Sequence, residues 1–424
     1  MATAVADSYT AASGEAIYAG LVAPPPSVRA LLVGDSLTSL SYGPRHPYTW
    51  TLGLNGGVLK PVANIAIAGN TVADVLARID NDYTNATPGA AGLGTLGWFL
   101  LRVGTNDTRG GTSINSTIQT AYDDLITALL GYCSRGIVFA VPPISSPESG
   151  AGVGSFNAWL SSYCAGNSRL FFCDDCTTVN NGSGAWASGY VPGDGIHTTD
   201  AGSYRMGVDG AAALESHLAS FAYASPLSTD GADVYPAQPQ WIANHLMAGT
   251  SGSNSLSGGG SVANSWSVGP GGGSIDGTCA KVAADGGDTN QTPWQRISPT
   301  QIADNGTDGG IGASIALTGR TITDSDPDSL DVILEVRMNA LATQRFRYLR
   351  VFAYGNSNEE LSPPMFLRLG AGPTTETAVM RCAIRRSATR VAHASAQLNI
   401  LLCSSESFTG SMGSVDFRCA TVRG

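Results

Sequence analysis

Four short polar stretches in the first half of the chain carry the residue types that acyl transfer needs. Ser36 closes the run VRALLVGDSLTS (28–39), and Gly69-Asn70 close a second apolar run. Gly104-Thr105-Asn106-Asp107 follow a third, and Asp194-Gly195-Ile196-His197 lie in a polar loop further on. Hydrolysis of an ester by a serine requires a base for the hydroxyl proton, a group that orients the base, and N–H donors for the oxyanion. Of the five histidines (His46, His197, His217, His245, His393), only His197 has a carboxylate three residues before it. Gly195 lets the chain fold back, so Asp194 can meet Nδ1 and leave Nε2 for Ser36. A lone serine after a strand is a turn or cap residue, and a lone Asp-x-x-His is a solvated loop. All of them converging on one edge of a sheet is what points to chemistry.

The elements that bring them together are an alternation of strands and helices. Short apolar runs at 28–33, 62–68, 98–104, 136–144 and 169–174 predict five strands buried on both faces. Helical spacing predicts helices near 46–56, 71–83, 113–133 and 200–221. Such alternation implies a parallel sheet with helices on both faces, and ligands gather at the carboxyl edge of such sheets. Residues 1–27 read as an extended lead-in and 28–222 as this α/β domain. Residues 223–240 read as a linker rich in small residues and proline, and 241–424 as a second domain. There the period falls to two: Val332, Leu334, Val336 and Met338 alternate with Asp331, Glu335 and Arg337. The same alternation in Leu398, Ile400, Leu402 and in Val415, Phe417, Cys419 predicts an antiparallel β-sandwich.

With 424 residues and a net charge of −10, the composition argues against a nucleic-acid partner. There is no apolar run long enough to span a membrane and no leader pattern at the start. The eight cysteines split four and four, and Cys173-x-x-Cys176 lacks a second pair that would suggest zinc. Gly92 to Gly97 match a dinucleotide fingerprint but precede a strand, and no cofactor is expected. Asp324, Asp326 and Asp328 resemble a calcium loop with Ser329 where glycine is required, so a solvated turn is expected. Arg381, Arg385, Arg386 and Arg390 read as solvated strand faces, and Asp35 and Asp107 as structural neighbours of the site.

At the level of these blocks the chain resembles the SGNH (GDSL) hydrolase family. Gly34-Asp35-Ser36-Leu37 match its first block, Asn64 to Gly69 its second, Gly104 to Asp107 its third, and Asp194 to His197 its fifth. Ala66 stands where the family has glycine. The resemblance implies a three-layer α/β/α, flavodoxin-like sandwich with a five-stranded parallel sheet. It also implies Ser36 as nucleophile, His197 as base and Asp194 as its orienter. The oxyanion hole would be formed by the N–H groups of Ser36 and Gly69 and the amide of Asn106. The second domain looks similar to carbohydrate-binding jelly rolls, so the expected substrate is an O-acetylated carbohydrate, with Trp186 and Tyr190 as candidate sugar-stacking residues. Alternatives are a bacteriophage tail protein, trimeric and virion-associated, whose sandwich binds surface glycan, or a lipase or thioesterase. An extracellular or virion-associated setting is favoured, with a homo-oligomer, a trimer in the virion case, as the candidate assembly.

Overall fold

The computed structural model describes residues 29–39, 47–86, 96–218, 244, 247–270, 274–283, 293–303, 309–317, 331–340, 348–354, 365–368, 375–383, 396–404, 408–410 and 413–423. The lead-in, the linker, most of the glycine-rich stretch before residue 96, the candidate calcium turn and Arg385, Arg386 and Arg390 lie outside these residues.

Five strands, β1 (Arg29–Gly34), β2 (Lys60–Asn64), β3 (Leu96–Arg102), β4 (Cys133–Phe139) and β5 (Leu170–Cys173), form a parallel sheet in the order β2-β1-β3-β4-β5. The helices are α1 (Pro47–Leu54), α2 (Val72–Ala86), the single turn α3 (Thr105–Thr108), α4 (Ser116–Tyr132), α5 (Val153–Ala165) and α6 (Asp200–Leu218). One apolar cluster packs α2, α4 and α5 on one side of the sheet through Val72, Val75, Ile79, Tyr122, Leu125, Leu129, Phe156 and Leu160. A second cluster on the other face joins Leu32, Leu100, Ile137 and Phe139 to Leu52 of α1 and Leu214 of α6. This is the expected three-layer arrangement. Helix α5 is not among the expected helices, although Val153, Phe156, Leu160 and Cys164 recur at helical spacing and are its buried residues. The second strand is shorter than the apolar run 62–68 implies: β2 stops at Asn64 and residues 65–70 form a loop.

The second half is built from β6 (Ser251–Asn254), β7 (Val262–Pro270), β8 (Ser274–Val282), β9 (Trp294–Ala303), β10 (Gly309–Leu317), β11 (Asp331–Asn339), β12 (Tyr348–Tyr354), β13 (Met365–Arg368), β14 (Thr375–Ala383), β15 (Ala396–Ser404), β16 (Phe408–Thr409) and β17 (Ser414–Arg423). One sheet runs β13-β12-β15-β10-β7-β6, the other β14-β11-β17-β9-β16, with β8 also paired to β9. The orders β9-β17-β11-β14 and β10-β15-β12-β13, with the chain crossing repeatedly between sheets, are those of a jelly roll. Among the described strand pairs of this half, β6–β7 is the parallel one. Inward residues of both sheets form the core: Trp266, Ile311, Leu398, Ile400 and Leu402 from one, Leu334, Val336 and Phe417 from the other.

Glu335 and Arg337, on the outward side of β11, are not solvated as alternation suggests. Glu335 bonds to Arg418, Arg337 bonds to Asp416, and both guanidiniums lie over the ring of Trp294.

The two halves touch through α1. Its residues from Pro47 to Gly53 are all buried, since α6 packs on one side and β13 and β14, the edge strands of the two sheets, on the other. Trp50 is fully buried within the apolar cluster of the sandwich. Its ring meets Tyr204 of α6 edge-on at 5.1 Å, and Tyr204 donates to Glu376 of β14 at 2.8 Å. Among the described residues no helix is long and apolar enough to cross a membrane.

Candidate active site

Register places the site. Gly34 at the end of β1 pairs with Arg102 at the end of β3, so Ser36 and Gly104 leave the sheet side by side. Gly34 serves a close approach: a Cβ there would lie 2.3 Å from the Arg102 carbonyl oxygen. Asp35 donates its N–H to that carbonyl, and its buried carboxylate accepts the Leu37 N–H at 3.0 Å. Burial, outweighing that bond and the nearby Arg102 charge, raises the Asp35 pKa above its ordinary value.

The loop after β2 is tied to this turn from both ends. Ile67 donates its N–H to Gly34 O, and Asn64 donates to Thr38 O at 2.7 Å and accepts the Ala66 N–H at 3.0 Å. Ala66 is therefore accommodated in place of glycine. Gly69 has φ +82°, a conformation costly for residues with a Cβ, and it is exposed. Neither the Ser36 nor the Gly69 N–H donates to an acceptor among the described residues, and both are free to receive an oxyanion. Asn106, in α3, donates one amide hydrogen to Asn70 O at 2.9 Å, which fixes the amide and leaves its second hydrogen.

The last loop sets a carboxylate against an imidazole. Gly195 has φ +75°, and a Cβ there would lie 2.2 Å from Ser145 O; the Ser145 N–H in turn donates to Gly195 O at 2.8 Å. Asp194 Oδ1 accepts the N–H groups of Ile196 and His197, and its Oδ2 lies 2.6 Å from His197 Nδ1. His197 Nε2 lies 2.9 Å from Ser36 Oγ. Desolvation works to raise the Asp194 pKa, but the His197 ring and the two backbone N–H groups outweigh it and hold it below the ordinary value. With Nδ1–H directed at this carboxylate, Nε2 accepts the Ser36 O–H, the arrangement that activates a hydroxyl for attack on a carbonyl.

The structure thus brings together Ser36, His197 and Asp194, and it sets Gly69 and Asn106 on linked loops beside them. Trp186 does not fit its expected role. It is 3% exposed, packs with Ala140, Cys176, Val179 and Met206, and donates its indole N–H to Gly195 O at 3.1 Å. Enclosed in this way, it supports the Asp194 loop and offers nothing to a sugar. Tyr190 is half-buried against the same cluster.

Sequence reasoning missed the buried pair beneath the site. Arg102, 2% exposed, bonds to Asp175 and donates to Ala140 O at 3.1 Å. An arginine inside the apolar run WFLLRVG was the available signal, because a charge on a doubly covered strand needs a partner. Among the described residues no group of three or more His, Cys, Asp or Glu side chains is arranged to hold a metal.

Several solved structures are similar to part of the chain. A GDSL-like lipase from Bacteroides thetaiotaomicron is 17% identical, covering 51% of this chain and 97% of its own with a TM-score of 0.34. An acetylxylan esterase from Geobacillus stearothermophilus is 16% identical over 45% of this chain and 93% of its own, with a TM-score of 0.33. The enzymatically active domain of tailspike protein 4 from bacteriophage CBA120 is 11% identical, covering 38% of this chain and 19% of its own, with a TM-score of 0.25. No curated protein sequence matches the chain. The model of the GDSL-like Lipase/Acylhydrolase family matches residues 32–205, a span that holds Ser36, Gly69, Asn106, Asp194 and His197. On that match and the parallel-sheet fold, this part of the chain is a domain of the GDSL-like lipase/acylhydrolase family, a family of hydrolases acting on esters.

Proposed function

We propose that the protein is a serine esterase that removes O-acetyl groups from a polysaccharide through an acyl-enzyme. Ser36 Oγ attacks the ester carbonyl while its proton passes to His197 Nε2, and Asp194 stabilises the imidazolium. The oxyanion receives the N–H groups of Ser36 and Gly69 and the free amide hydrogen of Asn106. Collapse breaks the bond to the sugar oxygen, which takes the proton from His197 and leaves as a hydroxyl. Water then attacks the acyl-enzyme, giving up a proton to His197, and His197 returns that proton to Ser36 Oγ as acetate leaves.

The observation that carries this reading is the unbroken chain from Ser36 Oγ to His197 to Asp194, at 2.9 and 2.6 Å. A short acyl group is favoured because, among the described residues, the large apolar side chains left exposed are Ile67 and Val191, one on each flanking loop. A long fatty chain needs a wider apolar surface. The carbohydrate part is supported by the jelly roll, a fold that glycan-binding domains share. Acetate release from acetylated oligosaccharides, with acetyl through dodecanoyl p-nitrophenyl esters beside them, tests the reading. A steep acetyl preference and loss of release in Ser36→Ala are expected. Equal rates along the series, or release by Ser36→Ala matching the wild type, overturn it.

A further inference from the structure

The third block of the site contains a second carboxylate, Asp107, that the hydrolytic steps do not use. It is half-buried at the amino end of α2. Its two carboxylate oxygens lie 3.3 and 3.1 Å from the N–H of Val72, the first residue of α2. That N–H is one of the four a helix cannot satisfy internally. The usual remedy is already in place: Thr71 and Asp74 cap each other reciprocally, Asp74 taking the Thr71 N–H at 2.9 Å and Thr71 Oγ1 taking the Asp74 N–H at 3.3 Å. Asp107 is thus a second clamp, delivered from another loop.

Its place in the chain gives that clamp a consequence. Asn106 donates to Asn70 O and Asp107 accepts from Val72, so two adjacent residues of α3 grip the segment 70–72 at both of its ends. That segment follows directly on Gly69. We propose that Asp107 is a positioning residue for the oxyanion hole: its carboxylate, through Val72, fixes the Gly69 N–H in register with the Asn106 amide. This rests on the reading of Ser36 as nucleophile and of Gly69 and Asn106 as oxyanion donors. Such donors act only when aimed at the oxygen of the transition state, so a loose loop lowers kcat and leaves KM nearly unchanged.

The charged neighbours of Asp107 make the clamp sensitive to pH. Asp35 from the β1 turn and Asp74 from α2 add negative charge, and Tyr122 of α4 lies within electrostatic reach. Burial is the main cause, ahead of the opposing Val72 bond, that pushes the Asp107 pKa up to about 6. The carboxylate therefore holds Val72 with full charge at neutral pH and less strongly in mild acid.

The experiment measures kcat and KM for p-nitrophenyl acetate as a function of pH in wild type, Asp107→Ala, Asp107→Asn and Ser36→Ala. At about pH 8, Asp107→Ala is expected to lose about 10- to 100-fold in kcat with KM held within about twofold. Asp107→Asn, whose amide oxygen can still accept the Val72 N–H, is expected to keep kcat within about threefold and to flatten the acid limb of the profile. An unchanged kcat in Asp107→Ala, a loss confined to KM, or equal impairment of Asp107→Asn overturns the inference. Should Asp107→Ala not fold, Val72→Pro deletes the donor at a helix position that tolerates proline, and a kcat equal to wild type there overturns it as well. Ser36→Ala separates the two levels: undiminished turnover in that variant refutes the nucleophile assignment, whereas an inactive Ser36→Ala beside a fully active Asp107→Ala refutes only the clamp.

Discussion

The hydroxyl of Tyr204, on the helix that begins three residues after His197, donates to Oε2 of Glu376 on an edge strand of the sandwich. Beside it Trp50 closes the gap between the two sheets with a side chain from the α/β half. The jelly roll is therefore completed by a residue it does not contain, so the two halves share part of its core.

Trp50→Ala tests that sharing. Emptying a fully buried indole site costs about 3–5 kcal/mol, and the loss is expected in both halves. Denaturant unfolding followed by near-ultraviolet dichroism and by p-nitrophenyl acetate activity should give coincident transitions, shifted together in the variant. Two separate transitions, with only one moved, would show independent halves.

Asn106→Ala removes the proposed oxyanion donor and the bond to Asn70 O at once. A fall in kcat of roughly 10²–10³ with little change in KM is expected. Asp194→Asn leaves the histidine without its carboxylate and is expected to lower kcat by about 10²–10⁴. Steady-state kinetics on p-nitrophenyl acetate checks both.

The two carboxylates of the site respond oppositely to pH. The Asp194 pKa is depressed in the fold, so its contribution is present above the ordinary value of 3.8 and is lost as pH falls through the lower folded value. That of Asp107 is raised from 3.8 to about 6, so its ionisation weakens the fold as pH climbs through that window. Asp107→Asn is expected to be more stable than wild type at neutral pH, by no more than about 3 kcal/mol, and so to melt higher, with the difference vanishing in acid. Melting temperatures across that range decide it; a constant difference contradicts the shift.

Arg102 and Asp175 form a buried pair, so deleting one partner strands a charge. Arg102→Met or Asp175→Leu alone is expected to cost about 3–5 kcal/mol, and the double variant to recover much of it. Urea denaturation of the three variants provides the cycle; additive losses would show that the pair does not interact.

Much of this was legible in the sequence. The short apolar runs revealed all five parallel strands, because strands covered on both faces cannot hide their composition. Period-two alternation revealed the sandwich for the same reason on one face. The blocks around Ser36, Asn106 and His197 were readable because each pairs a glycine with a polar residue at the edge of the sheet. Helix α5 was missed in a stretch rich in serine and glycine, where few residues carry the period. Trp186 was misassigned because an aromatic residue in a polar loop reads as exposed until its partner, Gly195 O, is known. Asp107 and Trp50 act through contacts with Val72 and with the second half of the chain, and no local pattern encodes such partners.

The most direct test is covalent. Diethyl p-nitrophenyl phosphate captures a serine that an imidazole has activated, and tandem mass spectrometry locates the adduct. One diethylphosphoryl group on Ser36, none in Ser36→Ala and greatly slowed labelling in His197→Ala are the expected results. An adduct on another residue, or hydrolysis by Ser36→Ala at the wild-type rate, would contradict the assignment of Ser36 as nucleophile.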